Sequence, residues 1–131
     1  MLRKTCGFTL IEILLVVLLT SILAALVAPL GIEQVEKARA QTEWLTLDRE
    51  IGRLSLDAFL RGDFVTIYAA GKQLAWESRG GQQGVIEFEH LFFSPDQRIT
   101  INPNGIADRP VIEVLQRDRR RSLRILPEVR E

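Results

Sequence analysis

The sequence predicts an α+β protein in which one long N-terminal helix packs on a small antiparallel β-sheet body. Three observations predict it. An unbroken apolar run covers residues 8–30, an amphipathic helical pattern follows over residues 31–62, and short β-type runs separated by turn signals fill residues 63–131. Because the apolar faces of an amphipathic helix and a sheet must be buried, we expect the second half of the helix to lie on the sheet.

Composition limits the function classes. The 131 residues include 17 basic and 17 acidic side chains, so no overall charge favours a polyanionic or polycationic partner. The single cysteine, Cys6, cannot form an intrachain disulfide and is interpreted as a leader residue without a further role. The single histidine, His90, has no second histidine or nearby cysteine with which to share a metal, and is interpreted as a loop residue.

The apolar run of residues 8–30 is the first element of the chain. A helix of this length spans roughly 35 Å, which exceeds the hydrocarbon core of about 30 Å. Fifteen of the 23 residues are Leu, Ile, Val or Phe. Together they favour membrane insertion by about 5–9 kcal/mol, against about 3 kcal/mol for burying Glu12 at mid-bilayer. The run is therefore predicted to be a transmembrane helix.

The flanking charges predict the orientation. Arg3 and Lys4 precede the run, so the positive-inside rule places the N-terminus in the cytoplasm and the residues after Gly31 outside it. Two simpler interpretations stay open: a secretory signal peptide cleaved near Ala28, and a plain signal anchor. The apolar part of a signal peptide is usually only about 7–15 residues long. A plain anchor leaves Glu12 unexplained, because an ionisable residue inside a membrane segment usually has a function.

The residues around Glu12 carry a family resemblance. The stretch Lys-Thr-Cys-Gly-Phe-Thr-Leu-Ile-Glu-Ile at positions 4–13 resembles the signature of type IV prepilins, a basic leader ending in glycine followed by phenylalanine, Thr-Leu-Ile-Glu and an apolar helix. The resemblance implies a pilin-like fold. It also implies that residues 1–7 are a leader, that a prepilin peptidase cleaves between Gly7 and Phe8, and that the new amine of Phe8 is methylated.

The resemblance also gives Glu12 a role in assembly. It implies that the helix of residues 8–30 leaves the membrane for the core of a filament. Cleavage would create an ammonium on Phe8, and Glu12 is expected to pair with the Phe8 ammonium of the neighbouring subunit. Because a buried charge pair is favourable only when both partners are present, this pair would act as a check on subunit register.

Pro29 is the twenty-second residue counted from Phe8, where many pilins carry a proline. Proline removes one helical hydrogen bond and clashes with the preceding turn. With Gly31 nearby, it predicts a kink or a melted segment over residues 25–31. The alternative is that the membrane helix ends there, but we favour a kink because helical periodicity resumes at once.

Residues 31–62 are predicted to form the amphipathic part of the helix. Between Ile32 and Arg61 there is no proline and one glycine. Apolar side chains recur at three- and four-residue spacing, which is typical of one helix face. Gly62 and Asp63 are predicted to end the helix. The predicted stripe consists of Trp44, Leu47, Ile51, Leu54 and Ala58, widened by Leu45, Leu56 and Phe59.

Residues 63–131 are predicted to form about six short antiparallel strands. The loops between them are identified by glycine, proline, asparagine and aspartate. We predict strands at residues 64–69, 73–77, 85–89 with a continuation at 91–93, 98–101, 111–115 and 122–126. We predict turns at residues 70–72, 94–97 and 103–105, a flexible loop at 78–84, and a hairpin turn at 118–120.

The body also resembles the minor pseudopilin group that includes the H-type subunit of type II secretion and the FimT-like proteins of fimbrial biogenesis. Phe-Ser-Pro-Asp at residues 93–96 and Ile-Asn-Pro-Asn-Gly-Ile at 101–106 resemble the turns that precede the last hairpin of that group. Gln97 departs from the pattern where glycine is expected. The run of arginines at 119–121 also departs from it, because a Thr-Gly turn is common there.

The arginine-rich segment suggests two interpretations. Arg117, Arg119, Arg120, Arg121 and Arg124 could bind the phosphates of DNA. However, Asp118 interrupts the run and no aromatic residues are interleaved with it, so we favour a solvated hairpin tip. Nucleic acid is therefore not expected as a partner.

These observations favour a structural subunit rather than an enzyme. The sequence contains no Ser/His/Asp or Cys/His set, phosphate-binding loop, metal-ligand spacing or dinucleotide-binding turn, so no catalytic residue, metal or cofactor is predicted. The resemblance implies a minor pseudopilin of a type II secretion-like pseudopilus, anchored in a bacterial inner membrane with a periplasmic body. Its partners would be the prepilin peptidase and other pilin or pseudopilin subunits. The alternatives are a minor type IV pilin for pilus assembly or DNA uptake, and a signal-anchored periplasmic binding module.

Overall fold

The computed structural model describes residues 7–125, so Cys6, the basic leader residues and Leu126 lie outside the described part. Over that range the chain forms one helix and six strands, which confirms the α+β prediction. It divides into two compact units, Met1–Lys37 and Ala38–Glu131. The elements are α1 Leu10–Arg61, β1 Val65–Gly71, β2 Gln73–Ser78, β3 Gln83–Glu87, β4 Leu91–Ile101, β5 Val111–Gln116 and β6 Arg119–Arg124.

Helix α1 runs without interruption for 52 residues, with Pro29 inside it. The backbone is helical throughout residues 25–31. The melted segment is therefore wrong, and so is the alternative in which the helix ends near Pro29. Proline removes only one N–H donor, and the bonds of the turns on either side continue the helix. The kink at Pro29 stays a prediction.

In the second unit, the part of α1 from Ala38 to Arg61 packs on the sheet along one stripe. The predicted widening of that stripe is wrong, because Leu45, Leu56 and Phe59 are 52%, 56% and 61% exposed. At about 100° per residue, these three positions point well away from the buried stripe. Trp44 is half-buried at its border. The buried members are Ala40, Leu47, Ile51, Leu54 and Ala58.

The helix ends at Gly62, as predicted. Gly62 has a φ of +64°, and the Asp63 amide donates to the Ala58 carbonyl at 3.1 Å, which is the Schellman arrangement. The Asp63 carboxylate then accepts hydrogen bonds from the Phe64 amide at 2.8 Å and the Gly80 amide at 2.5 Å. Asp63 thus connects the helix end to the turn between β2 and β3.

The six strands form one sheet in the order β3-β2-β1-β4-β5-β6, and all neighbours are antiparallel. Strand β2 ends at Ser78 and β3 begins at Gln83, so the loop predicted for residues 78–84 is confined to residues 79–82. The segment is a tight connection in which the Ser78 amide donates to the Gln82 carbonyl at 2.6 Å. The sheet contributes these buried side chains to the core: Val65, Ile67, Ala69, Leu74, Leu91, Phe93, Ile99, Ile101, Ile112, Val114 and Leu123.

The turn predicted at residues 94–97 is wrong, because those residues lie inside β4. Ala69 pairs with Gln97 and Gly71 pairs with Phe93, so the three residues 94–96 of β4 stand opposite the single residue Ala70 of β1. The Ser-Pro-Asp signal therefore indicates a bulge. Proline is tolerated at a bulge because no ladder hydrogen bond is required from it there.

Beyond the bulge, a side chain joins β4 to β5. Backbone pairing of these strands is limited to two residue pairs, the last of which is Phe92 with Leu115. The buried Gln97 amide then accepts a hydrogen bond from the Glu113 amide at 2.9 Å and donates to the Glu113 carbonyl at 2.7 Å. The Gln97 side chain therefore replaces the missing backbone pair.

The turn predicted at residues 103–105 lies against α1. The Asn102 side chain accepts hydrogen bonds from the Asn104 and Ile106 amides, both at 3.0 Å. Gly105 has a φ of +77°, and a Cβ there would lie 3.1 Å from the Ser55 carbonyl of the helix. Glycine is therefore required both by the backbone conformation and by the close approach of the helix.

The last hairpin turns earlier than predicted. Gln116 pairs with Arg119, which leaves Arg117 and Asp118 as the two turn residues. Their φ angles are +49° and +62°, as in the two-residue turns that match the twist of a hairpin. The turn predicted at residues 118–120 is therefore wrong, and Arg119 and Arg120 belong to β6 rather than to a hairpin tip.

Candidate functional site

The helix that carries the apolar run begins at a capped N-terminus. Thr9 precedes the first helical residue, Leu10, and its hydroxyl accepts a hydrogen bond from the Glu12 amide at 3.3 Å. The Thr9 carbonyl accepts from the amides of Glu12 at 3.1 Å and Ile13 at 3.2 Å. Thr9 is therefore the N-cap and Glu12 the third helical residue, which is the spacing of a capping box.

The Gly7–Phe8 junction lies outside the helix. Phe8 is 78% exposed, and no described atom lies within 4 Å of the position that a Cβ on Gly7 would take. A peptide bond in a non-helical, uncovered segment is accessible to a protease. Its product would carry a new amine one helical turn from Glu12.

Glu12 is the only charged residue between Gly7 and Ile32. It is exposed and lies in the first turn of α1, where a carboxylate interacts favourably with the helix dipole. Among residues 7–125, no side chain forms an ion pair with it. Since an unpaired carboxylate is costly in an apolar environment, Glu12 is suited to bind a cation that another group supplies.

The apolar surface after Glu12 has no partner within its own unit. Every Leu, Ile and Val from Leu10 to Val35 is 51–79% exposed. The hydroxyls in this stretch are satisfied internally, since Thr20 donates to the Val16 carbonyl and Ser21 donates to the Val17 carbonyl. Within the described residues, α1 is the one helix that is long and apolar enough to cross a membrane.

Glu43, on the same helix, differs from Glu12 because it has hydrogen-bond partners in the body. The Glu43 carboxylate accepts hydrogen bonds from the backbone amides of Glu89 at 2.9 Å and His90 at 2.8 Å, and it lies 3.4 Å from His90 Nδ1. Partial burial raises the pKa of the Glu43 carboxyl, but these hydrogen bonds outweigh burial and leave its pKa below the ordinary value. Glu43 therefore fixes the connection between β3 and β4 to the helix.

The arginine-rich segment is divided between two faces of the body. Arg121 lies over the Trp44 ring at 4.0 Å and donates to the Gln116 side chain, which in turn donates to the Ala40 carbonyl at 2.8 Å. Arg121 thus links β6 to α1, directly through the Trp44 ring and indirectly through the Gln116 side chain. Arg119, Arg120 and Arg124 are exposed on β6. In the range 7–125, no group of three or more His, Cys, Asp or Glu side chains could hold a metal ion.

The structure therefore places Gly7 and Phe8 just before α1, Glu12 in its first turn, and Pro29 further along the same helix. The N-cap role of Thr9 is absent from our sequence-based predictions, although the Thr-x-x-Glu pattern at residues 9–12 was a readable signal for it. The partners of Glu43 and Gln97 left no comparable signal, because their contacts join residues that are distant in sequence.

Comparison with known families gives one match. Residues 2–28 match the prokaryotic N-terminal methylation motif. Neither a curated protein nor a solved structure matches the chain. The motif implies processing by a prepilin peptidase and assembly with other pilin subunits. With the exposed apolar helix, it fits a membrane-anchored, single-pass protein. The chain therefore carries a type IV pilin-like prepilin signal.

Proposed function

We propose that this protein is a minor pseudopilin, a structural subunit of a type II secretion-like pseudopilus. Prepilin peptidase removes residues 1–7 and methylates Phe8. The protein is held in the bacterial inner membrane with its N-terminus in the cytoplasm and its β-body in the periplasm, and it then joins the pseudopilus through its N-terminal helix. It has no enzymatic activity.

One observation carries this proposal: the methylation motif leads directly into a capped helix whose single carboxylate in the apolar run has no ion-pair partner among residues 7–125. The motif covers residues 2–28, and Glu12 lies in the first turn of the helix. A membrane anchor requires neither the carboxylate nor an open junction before the helix. Both are useful for cleavage followed by pairing with the amine of an adjacent subunit.

Two other functions would also explain some of these features. A minor type IV pilin would share the processing and the role of Glu12, and would co-purify with pilus rather than secretion components. A signal-anchored periplasmic binding module would use the β-body alone and keep its leader. N-terminal mass spectrometry of the membrane protein distinguishes the binding module from a pseudopilin or pilin. Loss of residues 1–7 with a gain of one methyl group supports a filament subunit, and an intact Met1 contradicts it.

The role of Glu12 is tested by Glu12→Ala, with Glu33→Ala on the same helix as the matched control. We expect Glu12→Ala to be cleaved, methylated and inserted like the wild-type chain. Its incorporation into sheared filaments should fall by about tenfold or more, because a buried ammonium without its counter-charge is costly. Glu33→Ala should assemble normally. Normal incorporation of Glu12→Ala would show that the carboxylate has no part in assembly.

A further inference from the structure

The sheet of the body has two outer strands with opposite charge. Within residues 7–125, β3 and β6 each pair with one neighbour only, so one side of each strand has backbone groups without a described partner strand. Such an edge is a template for pairing with a strand of another molecule. The charges of the side chains on each edge determine which partner strand can pair with it.

The β6 edge is basic. Arg119, Arg120 and Arg124 are exposed on this strand, and Arg117 is exposed in the turn before it. Asp118 is the one acidic residue from 117 to 124. Arg120 and Glu113 approach to 4.0 Å, but their side chains are 73% and 54% exposed, so this pair contributes little. The basic charge of the edge is therefore largely available to a partner.

The β3 edge is acidic. Glu87 and Glu89 are exposed at its end, and residues 83–89 contain no lysine or arginine. The nearest basic residues in sequence are Arg79, in the turn between β2 and β3, and Arg98, in β4. Lys72 lies in the turn between β1 and β2. Arg79 lies over the Phe64 ring at 5.9 Å, away from the strand itself. The side chain of Val85, in the middle of β3, is 64% exposed.

Charge therefore selects between the possible edge contacts. Pairing β6 with a second β6 is unfavourable, because Arg120 then lies opposite Arg124. Pairing β3 with a second β3 places Glu87 opposite Gln83, so it brings no opposite charges together. Pairing β6 with β3 brings opposite charges together. The favoured contact is thus between different edges of two copies, which repeats from copy to copy and does not close as a dimer.

The strand order allows β6 and β3 of two copies to pair as antiparallel strands while both copies have the same orientation. In the order β3-β2-β1-β4-β5-β6 every neighbour is antiparallel, so β3 and β6 run in opposite directions. If two copies share one orientation, β6 of the first and β3 of the second are therefore antiparallel. Copies anchored in one membrane by the same N-terminal signal have their bodies on the same side of it, where two bodies can take that orientation.

We propose that β6 of one copy of this protein binds β3 of a second copy, and so extends the sheet from body to body. Arg120, Ser122 and Arg124 share the outer sheet face on β6, as Gln83, Val85 and Glu87 do on β3, because side chains alternate along each strand. Glu87 lies opposite Arg120 in one such register. The shared orientation rests on the proposed function, and the contact adds a second interface to the one formed by the helix.

The contact is tested by cross-linking the full-length chain in membranes, in a Cys6→Ser background. Val85→Cys and Ser122→Cys together should give a ladder of dimers, trimers and larger species with a short bismaleimide. The matched control replaces Val85→Cys by Ala70→Cys, an exposed position on the central strand β1, and should stay monomeric. A product limited to dimers, or no cross-linking at all, would overturn the proposal.

Charge reversal tests whether Glu87 and Arg120 form the selective pair. Arg120→Glu or Glu87→Arg alone should lower the cross-linked fraction by about tenfold or more. Co-expressing the two variants should restore it, because each copy then meets an opposite charge on the other. Failure to restore it overturns the proposal. So does binding of a DNA duplex through Arg120 by a chain that forms no ladder, since the arginines would then be a nucleic-acid surface.

Mass spectrometry of the N-terminus in the same samples tests the proposed function independently of the contact between β6 and β3. A ladder formed by a chain that retains its leader supports the edge contact and contradicts the proposed function. A cleaved and methylated chain without a ladder overturns only the edge contact.

Discussion

The two halves of helix α1 differ in how far their apolar side chains are buried. From Leu10 to Val35, every Leu, Ile and Val is at least 51% exposed. From Ala40 to Ala58, a narrow stripe is almost completely buried against the sheet of its own chain. Folding therefore buries one stripe of the second half, whereas the apolar side chains of the first half stay exposed and fit a membrane anchor.

The comparison teaches that one continuous helix serves two separable purposes. Two of its glutamates show the same division, since Glu12 has no ion-pair partner among residues 7–125 and Glu43 accepts two backbone hydrogen bonds from the body. Substitutions in the second half should therefore change the stability of the body. Substitutions in the first half should change only insertion and assembly.

The largest difference is expected from a pair of leucines. Leu54 is completely buried and Leu18 is 57% exposed. Leu54→Ala should lower the free energy of unfolding of the body by about 2–5 kcal/mol, because it leaves a cavity in the core. Leu18→Ala should leave that free energy unchanged. Urea unfolding of the full chain in detergent, followed by the fluorescence of Trp44 and Trp76, measures both. Equal effects of the two substitutions would contradict the division of the helix.

A smaller effect is expected from the side chain that joins β4 to β5. Gln97→Ala removes both hydrogen bonds to Glu113 and leaves its backbone amide and carbonyl without their partner. We expect a loss of about 1–3 kcal/mol. Gln73→Ala, an exposed position on β2, is the matched control and should have no effect. Hydrogen exchange of the Glu113 amide should become faster only in Gln97→Ala, and an unchanged rate would show that this bond is not needed.

The smallest effect is expected at the two glutamates. Glu43→Gln should destabilise the body by about 1 kcal/mol at pH 7, because a neutral amide accepts the two backbone hydrogen bonds less well. Glu12→Gln should not destabilise it. Since the pKa of Glu43 is lowered in the folded state, its contribution is present above the unfolded pKa of about 4.3 and is lost as the pH falls through the lower folded value. The difference between wild type and Glu43→Gln should therefore shrink between about pH 5 and pH 3.

A difference that stayed constant across that pH range would show that Glu43 acts by packing and not through its charge. The same titration of Glu12→Gln should overlay the wild-type curve. Both curves follow from urea unfolding at each pH, the measurement that is also used for Leu54→Ala and Leu18→Ala.

The sequence determined the N-terminal half of the molecule by itself. The leader junction, the apolar run and Glu12 form one continuous segment, so a local motif carries the prepilin-type signal and local hydrophobicity predicts the apolar helix. The helix, its end at Gly62 and the presence of six strands were predicted for the same reason. The strand prediction failed at residues 94–97, because a proline and an aspartate indicate a bulge as readily as a turn.

Only the tertiary structure decided which parts of the body meet. The bond of Glu43 to the connection after β3, the replacement of a backbone pair by Gln97, and the position of Arg119 and Arg120 on an outer strand all depend on the strand order. That order joins residues that are far apart in the chain, and local patterns carry no information about it. The sequence therefore identified the apolar helix that fits a membrane anchor, and the fold identified the edges that a second molecule could meet.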